Sequence, residues 1–475
     1  MRVHGRARRG AGGRWPVRAA SLLAPLLLAG CAGVLGGHDL APSGLPRPED
    51  DLRRQLRAGH AAAAYQDVTG EDSPAPADEV LRLLYAGTAA YYAGRYEEGG
   101  QLLDLAFAMT EDRVTESVSR QALSFLTNDR ALPWEPSPTE RLMLHFYGAL
   151  TFYRAGEPYE AAVEARRMSA LLDRLAEDGA EHPFFRYLAG ALFELVGETN
   201  DAAVAYRLAG ALPAAASPDP VPADSADVVV LVERGFVAHR VEQAVMVGLP
   251  GRVTDMLTDG DAGDKLAAAG LVAARLLAVA SYRGHRTWYH DDRYRRPLHL
   301  DPWGADCYAA GSRCDADDDE NPYLLRIAWP VYRSTPFEDG PVQVDSVRTV
   351  NRLELDVSGG VVQDFERRRA DLIARTVARA AAKLAVTKTV EHKVGERDEL
   401  AGQILGILTN IGTLVTERAD TRTWHLLPAE VTLHRVRLPA GRHELTATVG
   451  DRTVELGPIN ASGGRVYLLP HRVWR

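Results

Sequence analysis

The sequence predicts an α+β protein, with an all-helical first half and a mixed second half that ends in β-structure. Three observations carry that expectation. Three segments of the first half repeat one pattern of two apolar helices joined by a glycine turn. A proline-rich break, "SPDPVPADS" (217–225), then ends the pattern. Beyond it the periodicity changes to short β-branched runs and two-residue alternation. With 475 residues, 46% of them hydrophobic, the chain has material for two or three domains.

The helical segments are "LLYAGTAAYYAGRYEEGGQLLDLA" (83–106), "MLHFYGALTFYRAGEPYEAAVEAR" (143–166) and "FRYLAGALFELVGETNDAAVAYRL" (185–208). Each has a glycine inside its first helix (Gly87, Gly148, Gly190), where a small residue lets a second helix approach closely. Each has another at the turn (Gly94, Gly156, Gly197), where glycine adopts the left-handed conformation that ends a helix. This pattern resembles the tetratricopeptide repeat, whose helix pairs stack to bury apolar faces and leave a groove. The first-helix glycines are unevenly spaced, so loops or degenerate units are expected between them. The resemblance implies a partner-binding groove lined by Tyr91, Tyr92, Phe152 and Tyr153. The alternative is that these aromatics simply pack the core, as aromatics at helical spacing more often do.

In the second half, "ADVVVLVERGFVAHR" opens with a β-branched run expected to form a buried strand ending at a glycine turn. "YLLRIAWPVYR" and "PVQVDSVRTVNRLELDVS" read as further strands, the latter broken near Asn351. "FERRRADLIARTVARAAAKLAVTKTVEHKV" (365–394) reads as a long amphipathic helix. It has Ile373, Val377, Ala380 and Leu384 on one face and Arg368, Arg375, Arg379 and Lys383 on the other. That basic stripe would suit an acidic partner or anionic head group, or be a solvated face; Arg375, Arg379 and Lys383 are its candidate contact residues. The apolar stretch Ile404 to Val415 is too short to span a bilayer and reads as a buried helix. The final strands, separated by "PAGRH", "VGDR" and "NASGG", describe an antiparallel β-rich module at about 428–470. Asp420, Arg422 and Trp424 in "ADTRTW" are expected to form a structural lock, a charge pair beside an indole; a recognition surface is the alternative.

At the other end, six arginines and no acidic residue in the first 18 positions precede an apolar run from Ala19 to Gly30. About a dozen apolar residues suit a secretory signal, whereas a spanning helix needs roughly 20. Leu28-Ala29-Gly30-Cys31 resembles the bacterial lipobox, which implies cleavage before Cys31 and acylation of that cysteine. Several buried acyl chains, at about 0.8 kcal/mol per methylene, would hold the chain stably on a bilayer. Ala32 stands where some lipoproteins carry an aspartate that retains them in the inner membrane, so that resemblance implies the outer membrane, facing the periplasm. The expected organisation is a signal at 1–30, a tether at 31–51, a helical domain at 52–216, a linker at 217–226 and a mixed domain at 227–475. An irregular insertion is expected at about 251–320.

The net charge is −9, and about −15 once the six arginines of the signal are set aside, which argues against nonspecific nucleic-acid binding. Cys307 and Cys314, in "CYAAGSRC", read as a small disulfide loop of an exported chain rather than a metal site. "GHRTWYHDDRYRRPLHLDPW" (284–303) gathers His290, Asp291, Asp292 and aromatic residues, but without standard ligand spacing, and reads as a surface insertion. "DADDDEN" (315–321) lacks the turn glycine of a calcium loop. No G-x-S-x-G, H-E-x-x-H or P-loop pattern is present, so no catalytic residue, metal site or cofactor is assigned.

The segments 228–250, 375–386, 419–431 and "LPAGRHEL" (438–445), with the lipobox and helical repeats, resemble an uncharacterised bacterial lipoprotein family. Its members often accompany lipoproteins that activate penicillin-binding proteins. The anchor and repeats suggest a lipid-anchored periplasmic adaptor or scaffold in the cell envelope, and the lack of catalytic motifs a non-enzymatic role; the resemblance implies a cell-wall synthase or its activator as the partner. The other readings are a glycan-binding or glycan-acting envelope enzyme and a purely structural lipoprotein.

Overall fold

The computed structural model describes residues 48–70, 78–115, 133–210, 220–249, 298–300, 323–395 (without 339 and 346) and 418–474, with scattered positions between 256 and 268. Helices and sheets are both present, which makes the chain α+β. Eight helices come first among the described residues: α1 (Pro48–Arg57), α2 (Ala61–Thr69), α3 (Glu79–Tyr92), α4 (Tyr96–Thr115), α5 (Pro138–Ala155), α6 (Pro158–Glu177), α7 (Pro183–Leu195) and α8 (Thr199–Ala209). Local chemistry sets their starts. Asp78 caps α3 by accepting from the N–H groups of Val80 and Leu81. Ser137 and Glu140 form a reciprocal capping box on α5, and Pro138, Pro158 and Pro183 occupy first-turn positions where no N–H is needed.

The helices pair as hairpins α3/α4, α5/α6 and α7/α8, and the turn glycines Gly94, Gly156 and Gly197 all have φ between +75° and +85°. The glycines inside the first helices mark the closest approach within each pair. A Cβ on Gly87 would lie 2.7 Å from Leu103, one on Gly148 3.1 Å from Glu164, and one on Gly190 2.6 Å from Tyr206. The same offset recurs each time, so the hairpins share one packing geometry built on the small residue.

Beyond them come β1 (Ser225–Arg234), β2 (His239–Leu249), β3 (Leu298–Leu300), β4 (Tyr323–Arg333), β5 (Val342–Val344), β6 (Arg348–Asp356), α9 (Val357–Gly395), β7 (Glu430–Pro439), β8 (Gly441–Val449), β9 (Arg452–Ala461) and β10 (Val466–Val473). They form three sheets, ordered β10-β1-β7-β6, β3-β2-β4 and β5-β8-β9. In the first, β1 runs parallel to β10 and antiparallel to β7. The sequence break near Asn351 is a β-bulge, where β6 shifts register against β7 between Thr349 and Asn351.

The β1 run is apolar throughout because both of its faces are buried. Val229 and Leu231 join the large core of helical side chains, while Val228, Val230 and Val232 join a second core with Val342, Val344, Val436, Leu445, Ala447 and Val449. The four-stranded sheet is thus a middle layer, with helices on one face and the small β5-β8-β9 sheet on the other. All described residues belong to one compact unit.

This arrangement corrects the expected C-terminal module. Of its four strands, only β8 and β9 pair with each other; β7 and β10 flank β1, and β10 does so in parallel. The physical reason is that β1, apolar on both faces, needs a hydrogen-bonding neighbour on each edge as well. The chain passes from one sheet to the other at Ala440–Gly441, where Gly441 has φ +142° and Ala440 N–H donates to Asp224 O. The end of the proline-rich stretch is tied down too, since Pro222 O accepts from Ser225 and Gly464 N–H.

Candidate functional site

The face between the helices and the four-stranded sheet is where the polar side chains converge. The first helix of each hairpin turns tyrosine hydroxyls toward it, and those of Tyr85, Tyr92, Tyr147, Tyr153 and Tyr187 are engaged. Tyr92 and Tyr147 lie 2.7 Å apart and both donate to Glu233 of β1, at 2.8 and 2.6 Å. Tyr153 accepts from Leu468 N–H on β10, and Tyr187 accepts from the Asn351 side chain on β6. Tyr85 donates to Thr423 O and accepts from His425 N–H.

Glu233 is 1% exposed and carries a third partner, Arg472 of β10, at 3.2 Å. The Arg472 guanidinium also donates to Gly235 O and lies against the rings of Tyr92, Phe236 and Trp474. Trp474 in turn packs edge-on to Tyr92, with centroids 4.7 Å apart. Burial pushes the Tyr92 and Tyr147 hydroxyls well above their usual range, so both stay protonated and remain donors to Glu233.

A second buried charge cluster lies farther along β1. Asp227 accepts from Arg435 Nε at 2.6 Å and from Arg437 Nε at 2.6 Å. Arg435, fully buried on β7, also reaches Glu194 of α7 at 2.6 Å and Tyr206 of α8 at 2.9 Å. This one arginine therefore ties β1, β7 and the last hairpin together.

The third station is an irregular strap, residues 418–429, laid across the starts of α3 and α5. Trp424 is fully buried; its indole N–H donates to Thr88 and its backbone N–H to Glu140. Arg53 of α1 donates to His425 O at 2.9 Å and to Val237 O at 3.1 Å. Arg422 makes a two-point pair with Asp420 at 2.8 and 2.9 Å and stands 3.5 Å from Asp78. Beside the strap, Arg240 donates to the Tyr332 hydroxyl at 3.1 Å and lies over the Phe365 ring; burial pushes that hydroxyl up to about 12. Burial likewise raises the Glu140 carboxyl.

Of the residues expected in the groove, Tyr91 is buried and Tyr92, Phe152 and Tyr153 are half-buried against the core. Tyr91 and Tyr92 pack with Tyr147, Phe152 lies over Gly100 between α4 and α5, and Tyr153 holds β10. Asp420, Arg422 and Trp424 meet at the strap, as a charge pair and a buried indole at the junction of helices and sheet. Arg375 is exposed on α9, with its Nε 3.4 Å from Asp371 O. The side chains of Arg379 and Lys383 lie outside the described residues, as do Cys31, Cys307, Cys314, His290, Asp291, Asp292 and the acidic loop 315–321.

Sequence reasoning missed Asp227, Glu233, Arg435 and Arg472. The available signal was the charge pattern itself: two acids bracket the apolar run of β1, arginines alternate in "HRVR", and one arginine stands within the final apolar run in "HRVW". The arrangement binds charge to charge and holds layers together. Among the described residues no group of three or more His, Cys, Asp or Glu is placed to hold a metal ion, and no helix is long and apolar enough to cross a membrane. No family model, curated protein or solved structure matches the chain.

Proposed function

We propose that the chain is a lipid-anchored adaptor of the bacterial envelope, held at the outer membrane through Cys31 and facing the periplasm. The observation that carries this reading is the arginine-rich start and apolar run that end at Leu28-Ala29-Gly30-Cys31. The helical hairpins are a tetratricopeptide-like array, a reading supported by the recurring inner glycine and positive-φ turn glycine. Its inner face holds the chain's own sheet and strap, so a partner is engaged through other surfaces. The long helix α9, with its basic stripe, is one such surface, and a cell-wall synthase or its activator is the partner class. The role is non-enzymatic: anchoring raises the local concentration of adaptor and partner, so modest contacts suffice.

Crosslinking in intact cells, with mass spectrometry of the captured material, tests this reading. Capture of a cell-wall synthase or its activator by the native chain, lost in Cys31→Ser together with acyl labelling, supports it. Persistent acyl labelling of Cys31→Ser sinks the anchor, and capture unaffected by release from the membrane sinks the tethering mechanism.

A further inference from the structure

On the face of the four-stranded sheet turned away from the helices, apolar and polar residues divide sharply along the strands. Register places Arg234, Glu430 and Asp356 side by side on β1, β7 and β6, then Val232, Thr432 and Glu354, then Val230, His434 and Arg352. Val228, Val230 and Val232 belong to the core shared with the small sheet, whereas Arg352 and Glu354 are largely exposed and pair with each other. His434 sits at this boundary, 2% exposed, and neither ring nitrogen has a hydrogen-bond partner among the described residues. A neutral imidazole buried in that way gives up its water without replacement.

The charged neighbours do not favour a second positive charge. From β6, Arg352 opposes protonation of His434 and Glu354 partly offsets it. From β1 the adjacent residue is Val230, with Arg234 two rows away and paired to Glu430. From the small sheet, β5 contributes Val342 and Val344, and the Asp345 carboxylate is taken up by Thr446 and Thr448. From β10, His471 lies across β1 beside Val232, and burial lowers its ring as well. His443 of β8 is exposed and bonded to Pro439 O.

We propose that His434 is an acid-responsive seat for the small sheet: in acid, the state with β5-β8-β9 lifted from the four-stranded sheet is selected because only there can the ring take a proton. Burial holds the ring down at about 4 in the closed state, which agrees with this geometry. An ordinary imidazole titrates near 6.5, so the open state gains a proton over a pH window that a periplasmic compartment, whose pH follows the medium, experiences.

Hydrogen–deuterium exchange of the whole chain between pH 7.5 and 4.5, corrected for intrinsic rates, tests the proposal. Opening of residues 441–461 is expected to rise more steeply below about pH 6 in the wild type than in His434→Leu, by about tenfold per pH unit. His443→Gln is expected to keep the wild-type slope. Equal slopes in wild type and His434→Leu overturn the proposal. So does an imidazole titration of native wild-type protein, followed by NMR, in which His434 protonates near pH 6.5 without loss of the folded signals; the expected result is a ring still neutral at pH 5. That second measurement needs no variant to fold.

Discussion

Replacing Arg472 with methionine removes the cation that faces Glu233 while keeping a long apolar side chain between Phe236 and Trp474. Glu233 is 1% exposed and the Arg472 side chain 4%, so the carboxylate left behind cannot recover its charge partner from water. Breaking such a buried pair from one side costs about 3–5 kcal/mol. Tyr92 and Tyr147 still donate to Glu233, so the loss should fall at the lower end of that range. Glu233→Gln, which strands Arg472 instead, should cost a similar amount. The double variant removes both charges and should be less destabilised than the sum of the singles by about 1–3 kcal/mol. Urea denaturation followed by tryptophan fluorescence and far-ultraviolet circular dichroism measures all three. An Arg472→Met loss below about 1 kcal/mol, or strict additivity in the double variant, would refute the idea that this pair holds β10 to β1 beneath the helices.

Trp424→Ala should destabilise the protein by about 3–5 kcal/mol, because it empties a fully buried indole site and removes the donor to Thr88, whose hydroxyl keeps its bond to Leu84 O; the same denaturation assay reads it. Gly190→Ala, whose Cβ would meet the Tyr206 ring at 2.6 Å, should cost about 1–3 kcal/mol, and Gly197→Ala, at φ +78°, about 1 kcal/mol through backbone strain. The folded-state value of His434 is depressed, so its contribution to stability is fully present above about 6.5 and is lost as pH falls toward about 4. Over that window the loss should approach about 3 kcal/mol, and stability measured against pH should be flatter by that amount in His434→Leu.

The hairpins were legible in the sequence because their signals are local. A glycine that must touch the facing helix and a glycine that must adopt positive φ recur in each pair, and Gly87, Gly148 and Gly190 do what their positions imply. The β1 strand was legible for the same kind of reason, since an unbroken β-branched run fits a strand covered on both faces. The direction in which the helices face was not legible. Tyr92 and Tyr147 at helical spacing satisfy equally well a groove for a foreign peptide and a seat for the chain's own Glu233. Deciding between them requires knowing that β10, more than two hundred residues along the chain, lies beside β1. The same non-locality hid the assignment of β7 and β8 to different sheets, because a single residue, Gly441, redirects an otherwise continuous run of alternating residues. Asp227 and Glu233 flank the apolar run of β1, and their partners, Arg435 and Arg472, are set by sheet pairing.

Hydroxyl-radical footprinting of native protein, read at each tyrosine by mass spectrometry, asks most directly whether the inner helical face is occupied by the chain itself. Tyr159, 70% exposed on α6, should be oxidised readily, while Tyr85, Tyr92, Tyr147 and Tyr187 should be protected until the protein unfolds. Oxidation of Tyr92 and Tyr147 at rates comparable to Tyr159 in the native state would show an open face and contradict the enclosed arrangement.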